Sequence, residues 1–187
     1  MNKLTAASTV AVIMTILVLY ALSATPYIPA WAVFITWACF FHLGGDADPG
    51  QAYISMLQHV GLGITAAWLS ALIILVNPFS NALLVAWWAP VIIGLVIGVL
   101  FRMGVSARFA ITPAIIYGYA GTFAFLDGRQ DRFNMEALLS FSFNNVLITL
   151  GVSLLIGISA AYLNAILVQR LITTSLEDAP IQVPSQQ

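Results

Sequence analysis

Two stretches of this chain, Leu4 to Gly45 and Pro49 to Phe101, contain no Asp, Glu, Lys or Arg at all. Few folds tolerate that. A soluble domain carries roughly 25% charged residues, because ionised side chains keep its surface in water; here the 187-residue chain is 7% charged and 61% apolar. The expected class is a polytopic, all-α integral membrane protein with the lipid bilayer as its main partner. A formal net charge of -1 leaves no basic surface for nucleic acid, and the lone Cys39 makes neither an intrachain disulfide nor a thiolate metal cluster.

A spanning helix needs about 20 apolar residues, so each charge-free run must be cut. Pro26 and Pro29 cut the first, Asn77-Pro78 the second, Arg102 to Arg108 forms a polar turn, and Leu126-Asp127-Gly128 ends the next apolar stretch. Six spans are expected, roughly 5 to 24, 28 to 44, 55 to 76, 83 to 101, 108 to 126 and 143 to 169. They make one membrane domain over residues 1–173, with a flexible polar tail over 174–187. Lys3, the apolar run from Val10 to Tyr20 and Ala21-Leu22-Ser23 also have the form of a secretory signal. Because further spans follow at once, an uncleaved first helix is expected. With the N-terminus inside, Lys3, Arg102, Arg108 and Arg170 fall on the inner side and Arg129 and Arg132 on the outer, which puts both termini in the cytoplasm.

The two halves resemble each other. Laying residues 19–45 on 102–128 matches Ser23 with Ser106, Ala24 with Ala107, Phe40 with Phe123, Leu43 with Leu126 and Gly45 with Gly128. Each half (about 5–76 and 83–170) reads as helix, turn, helix ending in Phe then Gly, acidic loop and longer helix. Small residues four apart recur in the longer helices, as Gly63, Ala67, Ala71 and Ser153, Gly157, Ala161, and such rows bring helices close in lipid. Three spans per half make the expected repeat an inverted one, three plus three. Gly94 and Gly98 form a GxxxG beside Trp87 and Trp88 and are expected to pack a neighbouring helix.

Polar groups in such a chain gather at helix ends. In Phe40-Phe41-His42-Leu43-Gly44-Gly45-Asp46-Ala47-Asp48-Pro49, two rings, an imidazole, a glycine pair and two carboxylates meet. Asp48-Pro49 is a natural helix start, and the stretch reads either as a capping turn or as a pore mouth where irregular backbone meets a solute. Phe123, Asp127, Gly128, Arg129 and Asp131 occupy the matching place, as an exposed salt bridge or a second mouth. Phe133 to Phe143, too short to span, lies at the interface or dips into the protein. Gln58 and His59 inside the third span, and Asn144-Asn145 opening the sixth, should face the bundle, since polar groups turned to hydrocarbon are costly. In the fifth span Pro113, Tyr117, Gly118, Tyr119 and Gly121 describe a bent helix whose hydroxyls need partners.

The pattern Ile28-Pro29-Ala30-Trp31-Ala32 to Trp37, Phe40-Phe41, Gly44-Gly45, Gly61-x-Gly63 and Phe123-Ala124-Phe125 resembles the YcdZ-like uncharacterised inner-membrane family of bacteria over most of residues 5–170. That resemblance implies a multi-pass protein of the bacterial inner (cytoplasmic) membrane and brings no substrate. More distantly, Pro29-Ala30-Trp31-Ala32 and the glycine-rich turn before the third span are similar to the membrane half of fusaric-acid-resistance and aromatic-acid exporter proteins, which implies movement of organic anions. This chain differs in having no basic residue early in the third span.

Walker-type loops, HExxH, GxSxG and carboxylates inside a span are all missing from the sequence. No enzyme, no cofactor and no metal is therefore expected. The expected function is a channel or facilitator for a small neutral polar solute, the work of a homo-oligomer, with a path along Phe40, Phe41, His42, Gly44, Gly45, Gln58, His59, Tyr119, Phe123, Asp127, Asn144 and Asn145. Export of weak organic acids past Arg102 and Arg108 is the alternative within transport, and a scaffold or small subunit of a membrane complex is the alternative outside it. On a Cys39-free background, single cysteines at positions 47 and 130 are expected to react with an impermeant thiol reagent from opposite sides of the membrane. Labelling from one side rules out the inverted repeat.

Overall fold

The computed structural model describes residues 2–177. They form α1 (Lys3–Ser23), α2 (Ala30–His42), α3 (Pro49–Leu75), α4 (Ala82–Met103), α5 (Thr112–Asp127), α6 (Met135–Leu139) and α7 (Val146–Glu177), and no strand occurs among the described residues. The starts follow local chemistry. Asn2 accepts a hydrogen bond from the Thr5 amide at 2.8 Å, Asp48 from Gln51 at 3.0 Å and Asn81 from Leu83 at 2.9 Å, each satisfying an amide that the helix leaves free. Pro49 sits in the first turn of α3, so this helix begins six residues earlier than the hydropathy pattern places the span.

Four helices, α1, α3, α4 and α7, are long and apolar enough to cross a bilayer. The other two expected spans are shorter. With 13 residues in α2 and 16 in α5, they rise ~20 and ~24 Å, against ~30 Å of hydrocarbon. Proline and glycine set the limits: Pro29 caps α2 and Gly44 at φ 80° closes it, while Pro113 opens α5 and Gly128 follows it. The segment from Phe133 to Phe143 contains α6, whose Leu138 is fully buried and accepts a hydrogen bond from Trp68 Nε1 at 2.9 Å, while Phe141 stands fully exposed. At the other end of the chain the helix continues through residues 174–177, where a polar tail was expected; the rest of that tail lies outside the described residues.

Helices α3 and α7 pack on each other at the centre. Helix α5 lies along α3 and α2 along α7, with α4 outside α3 and α1 outside α7. The closest approaches occur at glycines. A Cβ on Gly63 would collide with the Ile115 carbonyl, one on Gly118 with the Val60 carbonyl, and one on Gly157 with the Thr36 side chain. Ala67, Ala71, Ser153 and Ala161 are buried along the same rows, as the four-residue spacing predicts. Gly94 and Gly98 differ. Neither has an atom within 4 Å of a Cβ position, and of α4 only Leu100 is buried, so their GxxxG faces outward instead of packing within the chain.

Two classes of glycine thus carry opposite expectations. Gly63→Ala and Gly118→Ala force backbone apart and should destabilise the detergent-solubilised protein by about 1–3 kcal/mol, whereas Gly94→Ala should be neutral or slightly stabilising. Thermal unfolding followed by circular dichroism checks this, and equal effects at all three positions would contradict the packing.

Candidate functional site

The end of α2 shows what the glycine pair does. The Gly45 amide donates to the Phe40 carbonyl and the Gly44 amide to the Phe41 carbonyl, both at 3.1 Å, with Gly44 in the left-handed region. That pairing is the Schellman cap, which consumes the last free carbonyls of a helix. The Ala47 and Asp48 amides both donate to the Gly44 carbonyl. The fully buried Phe40 ring fills the space beside Gly45 and meets Phe41 edge-on at 5.4 Å. His42 and Asp46 are exposed. The polar backbone of this turn is therefore spent on itself.

The remaining expected path residues separate. Gln58 faces outward, whereas His59 is 3% exposed, its Nδ1–H donating to the Ser55 carbonyl at 2.7 Å and its ring edge-on to Phe109 at 6.3 Å. With Nδ1 carrying the proton, Nε2 is an acceptor, and it has no partner among the described residues. Tyr119 is buried and donates to Ser70 Oγ at 3.1 Å, with the Phe123 ring 5.3 Å away. Asp127 and Asn144 are exposed. Asn145 is buried, donating through Nδ2 to the Ser140 carbonyl and accepting from the Leu147 amide, both at 3.0 Å. Nearby, Arg129 pairs with Asp131 through two contacts in an exposed loop, while the Arg132 guanidinium lies 3.9 Å from the centre of the Phe125 ring. Burial lowers the pKa of Arg132, helped by the adjacent Arg129 and opposed by Asp131; the group remains a cation.

These residues do not share a space. The space where the central helices meet is a cavity of about 20 Å³ lined by Trp31, Ala32, Ile35, Thr36 and Cys39 of α2, Val60 and Ile64 of α3, Tyr117, Gly118 and Gly121 of α5, and Leu150 and Ser153 of α7. Its volume accommodates about one water molecule. No charged side chain lines it. Thr36 Oγ1 donates to the Val33 carbonyl at 2.8 Å and Ser153 Oγ to the Thr149 carbonyl at 2.7 Å. Each hydroxyl donor is engaged, and each oxygen keeps its accepting capacity. Trp31 and Tyr117, 40% and 47% exposed, flank the open side.

None of the twelve expected path residues lines this cavity. Of those that do, Tyr117, Gly118, Gly121 and Ser153 stand out in the sequence for a bend or for packing, whereas Ala32, Thr36 and Cys39 were legible only as spacing, four and three positions apart on a helix face that is small rather than polar.

Fold and site together define a membrane protein, all-helical over the described residues, with a small uncharged cavity where α2, α3, α5 and α7 meet. Residues 7–169 match the family described as "Protein of unknown function (DUF1097)", and the chain belongs to that family. No curated protein and no solved structure matches it.

The Tyr119 hydroxyl is a local test. Tyr119→Phe removes its bond to Ser70, which retains its own bond to Ala66, and should cost about 1 kcal/mol. Tyr117→Phe, at a half-exposed position, should change stability by under ~0.5 kcal/mol. A detergent melting series on the two variants gives the comparison.

Proposed function

We propose that this protein is a passive facilitator for a small, neutral, polar solute, with the central cavity as its narrowest point. The observation that carries the reading is the cavity's composition: four helices converge on a space without charge, walled by aliphatic, aromatic and small residues and carrying two hydroxyl oxygens free to accept. An ion would lose its hydration there without compensation, whereas a neutral donor such as an amide or polyol would find acceptors. Room for about one water makes the described arrangement the constricted one, so passage requires α2 and α5 to separate slightly.

The inverted three-plus-three repeat of six crossings belongs to this reading. Exchanging α1, α2 and α3 for α4, α5 and α7 turns the α1–α7 contact into α4–α3, α2–α7 into α5–α3, and α2–α3 into α5–α7, and every one of these contacts is present. The two short helices are then equivalents. The register that lays Gly63-Ala67-Ala71 on Ser153-Gly157-Ala161 also lays Val60 on Leu150, and both of these line the cavity. An axis through the cavity is the arrangement expected where transporters place their sites. On this reading both termini lie in the cytoplasm, the membrane is the bacterial inner membrane, and the outward GxxxG of α4 is the face on which a second copy packs. Arg102 and Arg108 are exposed and away from the cavity, so no feature of the site favours the export of organic acids.

Proteoliposome swelling in stopped flow, with urea, small amides and polyols, tests the reading. Vesicles containing the protein should swell faster than empty ones. A Cβ on Gly121 would lie at ordinary contact distance, 3.8 Å, from Trp31, so Gly121→Leu fills the cavity without driving helices apart. It should reduce flux at least tenfold with an unchanged melting temperature. Permeabilities equal to those of empty vesicles overturn the reading and leave a packing role, which a stoichiometric heterologous partner in mild-detergent copurification would identify.

A further inference from the structure

A far larger open space lies elsewhere. Helices α1, α2 and α7 enclose a groove of about 900 Å³ running from Lys3 to Thr15 along α1, ~18 Å at 1.5 Å per residue. That length matches one leaflet, half of a ~30 Å hydrocarbon core plus a headgroup. The polar groups are graded along it. At the mouth, the Lys3 ammonium stands 3.4 Å from the Asp46 carboxylate, both exposed, and Gln169 Nε2 donates to the Asp46 carbonyl at 3.3 Å. Five residues before Gln169, and so ~7.5 Å deeper, Asn164 lines the groove at 5% exposure with no hydrogen-bond partner for its side chain among the described residues. This amide opens onto the groove, where its donor is free for whatever lies there. The walls between are apolar and aromatic: Phe34, Trp37 and Phe41 on one side, and Ala7 and Ala11 on the other, whose small size creates the space.

We infer that this groove holds one phospholipid with a zwitterionic headgroup ending in a primary ammonium, a phosphatidylethanolamine. The order of polar groups in such a lipid, ammonium and phosphate together and ester carbonyls a few bonds below, is the order of Asp46, Lys3 and Asn164. Asp46 receives the ammonium, Lys3 the phosphate, and the Asn164 amide donates to an ester carbonyl, while the acyl chain lies on the aromatic wall. A second copy of this chain fits less well, since its helix would bury the Lys3–Asp46 pair and leave the Asn164 amide to chance. The inference is independent of transport: it is unaffected if the cavity conducts nothing.

Native mass spectrometry of the full chain, released from nanodiscs made of equal parts phosphatidylethanolamine, phosphatidylcholine and phosphatidylglycerol, reads the bound lipid directly. One phosphatidylethanolamine per chain is expected, retained through detergent washing that strips the other two. Asn164→Leu should weaken retention roughly tenfold, Asp46→Asn should remove the preference over phosphatidylglycerol, and Ala11→Trp should exclude the lipid. If Asn164→Leu fails to accumulate, Asp46→Asn and Lys3→Gln, at exposed positions, decide alone. Equal retention of the three lipids, unaffected by these substitutions, overturns the inference. So does a disulfide between two copies of Ala11→Cys, which places a second chain in the groove.

Discussion

The contact on which the rest depends is the backbone-to-backbone approach of α3 and α5. Gly63 faces the Ile115 carbonyl and Gly118 faces the Val60 carbonyl, each glycine occupying the place where the partner leaves no room for a side chain. In lipid, burying a leucine gains little over leaving it among acyl chains, so association rests on close packing and on weak Cα–H···O contacts of about 0.5–1 kcal/mol each. A reciprocal pair of such points sets the two helices' depth as well as their distance. Gly157 does the same for α7 against α2, at Thr36. Once these two pairs are set and α3 meets α7, the positions of Tyr119, Thr36 and Ser153 follow, and with them the cavity.

A core this poor in charge still holds hydroxyls, and they are satisfied mostly within their own helices. Thr36, Ser70, Thr122 and Ser153 each donate to a carbonyl one turn earlier. This bond makes a hydroxyl compatible with an apolar surrounding without fixing any interhelical partner. The chain's specificity is therefore steric more than polar. Tyr119 to Ser70, Trp68 to Leu138 and Thr149 to the Phe143 carbonyl are exceptions, the first two being long-range bonds that tie α5 and α6 to α3. His59 is the other exception, since its Nδ1 follows the same rule as the hydroxyls while its Nε2 is left bare.

How much of this was legible follows from what each signal measures. Helix limits depend on local chemistry, so Asp48-Pro49 and Pro29 marked them, and the charge-free runs gave the membrane class, whereas Pro113, expected as a bend inside a span begun at 108, stands in the first turn of α5. The small-residue rows on α3 and α7 also held, because four-residue spacing reports a face directly. Helix phase could not be read from polarity. In Gln58-His59 and Asn144-Asn145 adjacent residues of similar character point opposite ways, the first of each pair outward and the second inward. The GxxxG of α4 has the same spacing as the rows that pack and yet meets nothing in this chain, since spacing states that a face is small and not what lies against it.

Length adds the last constraint. The two helices too short for a straight crossing, α2 and α5, are the ones that flank the cavity, and the two longest, α3 and α7, form its back. A bilayer meeting a helix of ~20 Å must thin, or water must follow the helix end inward, at a cost of fractions of a kcal/mol per Å. On the six-crossing reading the apolar barrier is shortest in line with the cavity and longest where α3 and α7 run behind it. Proline at the start and glycine after each short helix mark its limits: extending α2 past Gly44 would require giving up a cap that satisfies two carbonyls and displacing the Phe40 ring from Gly45. On the transport reading, the short helices are what bring both aqueous phases within reach of Thr36 and Ser153.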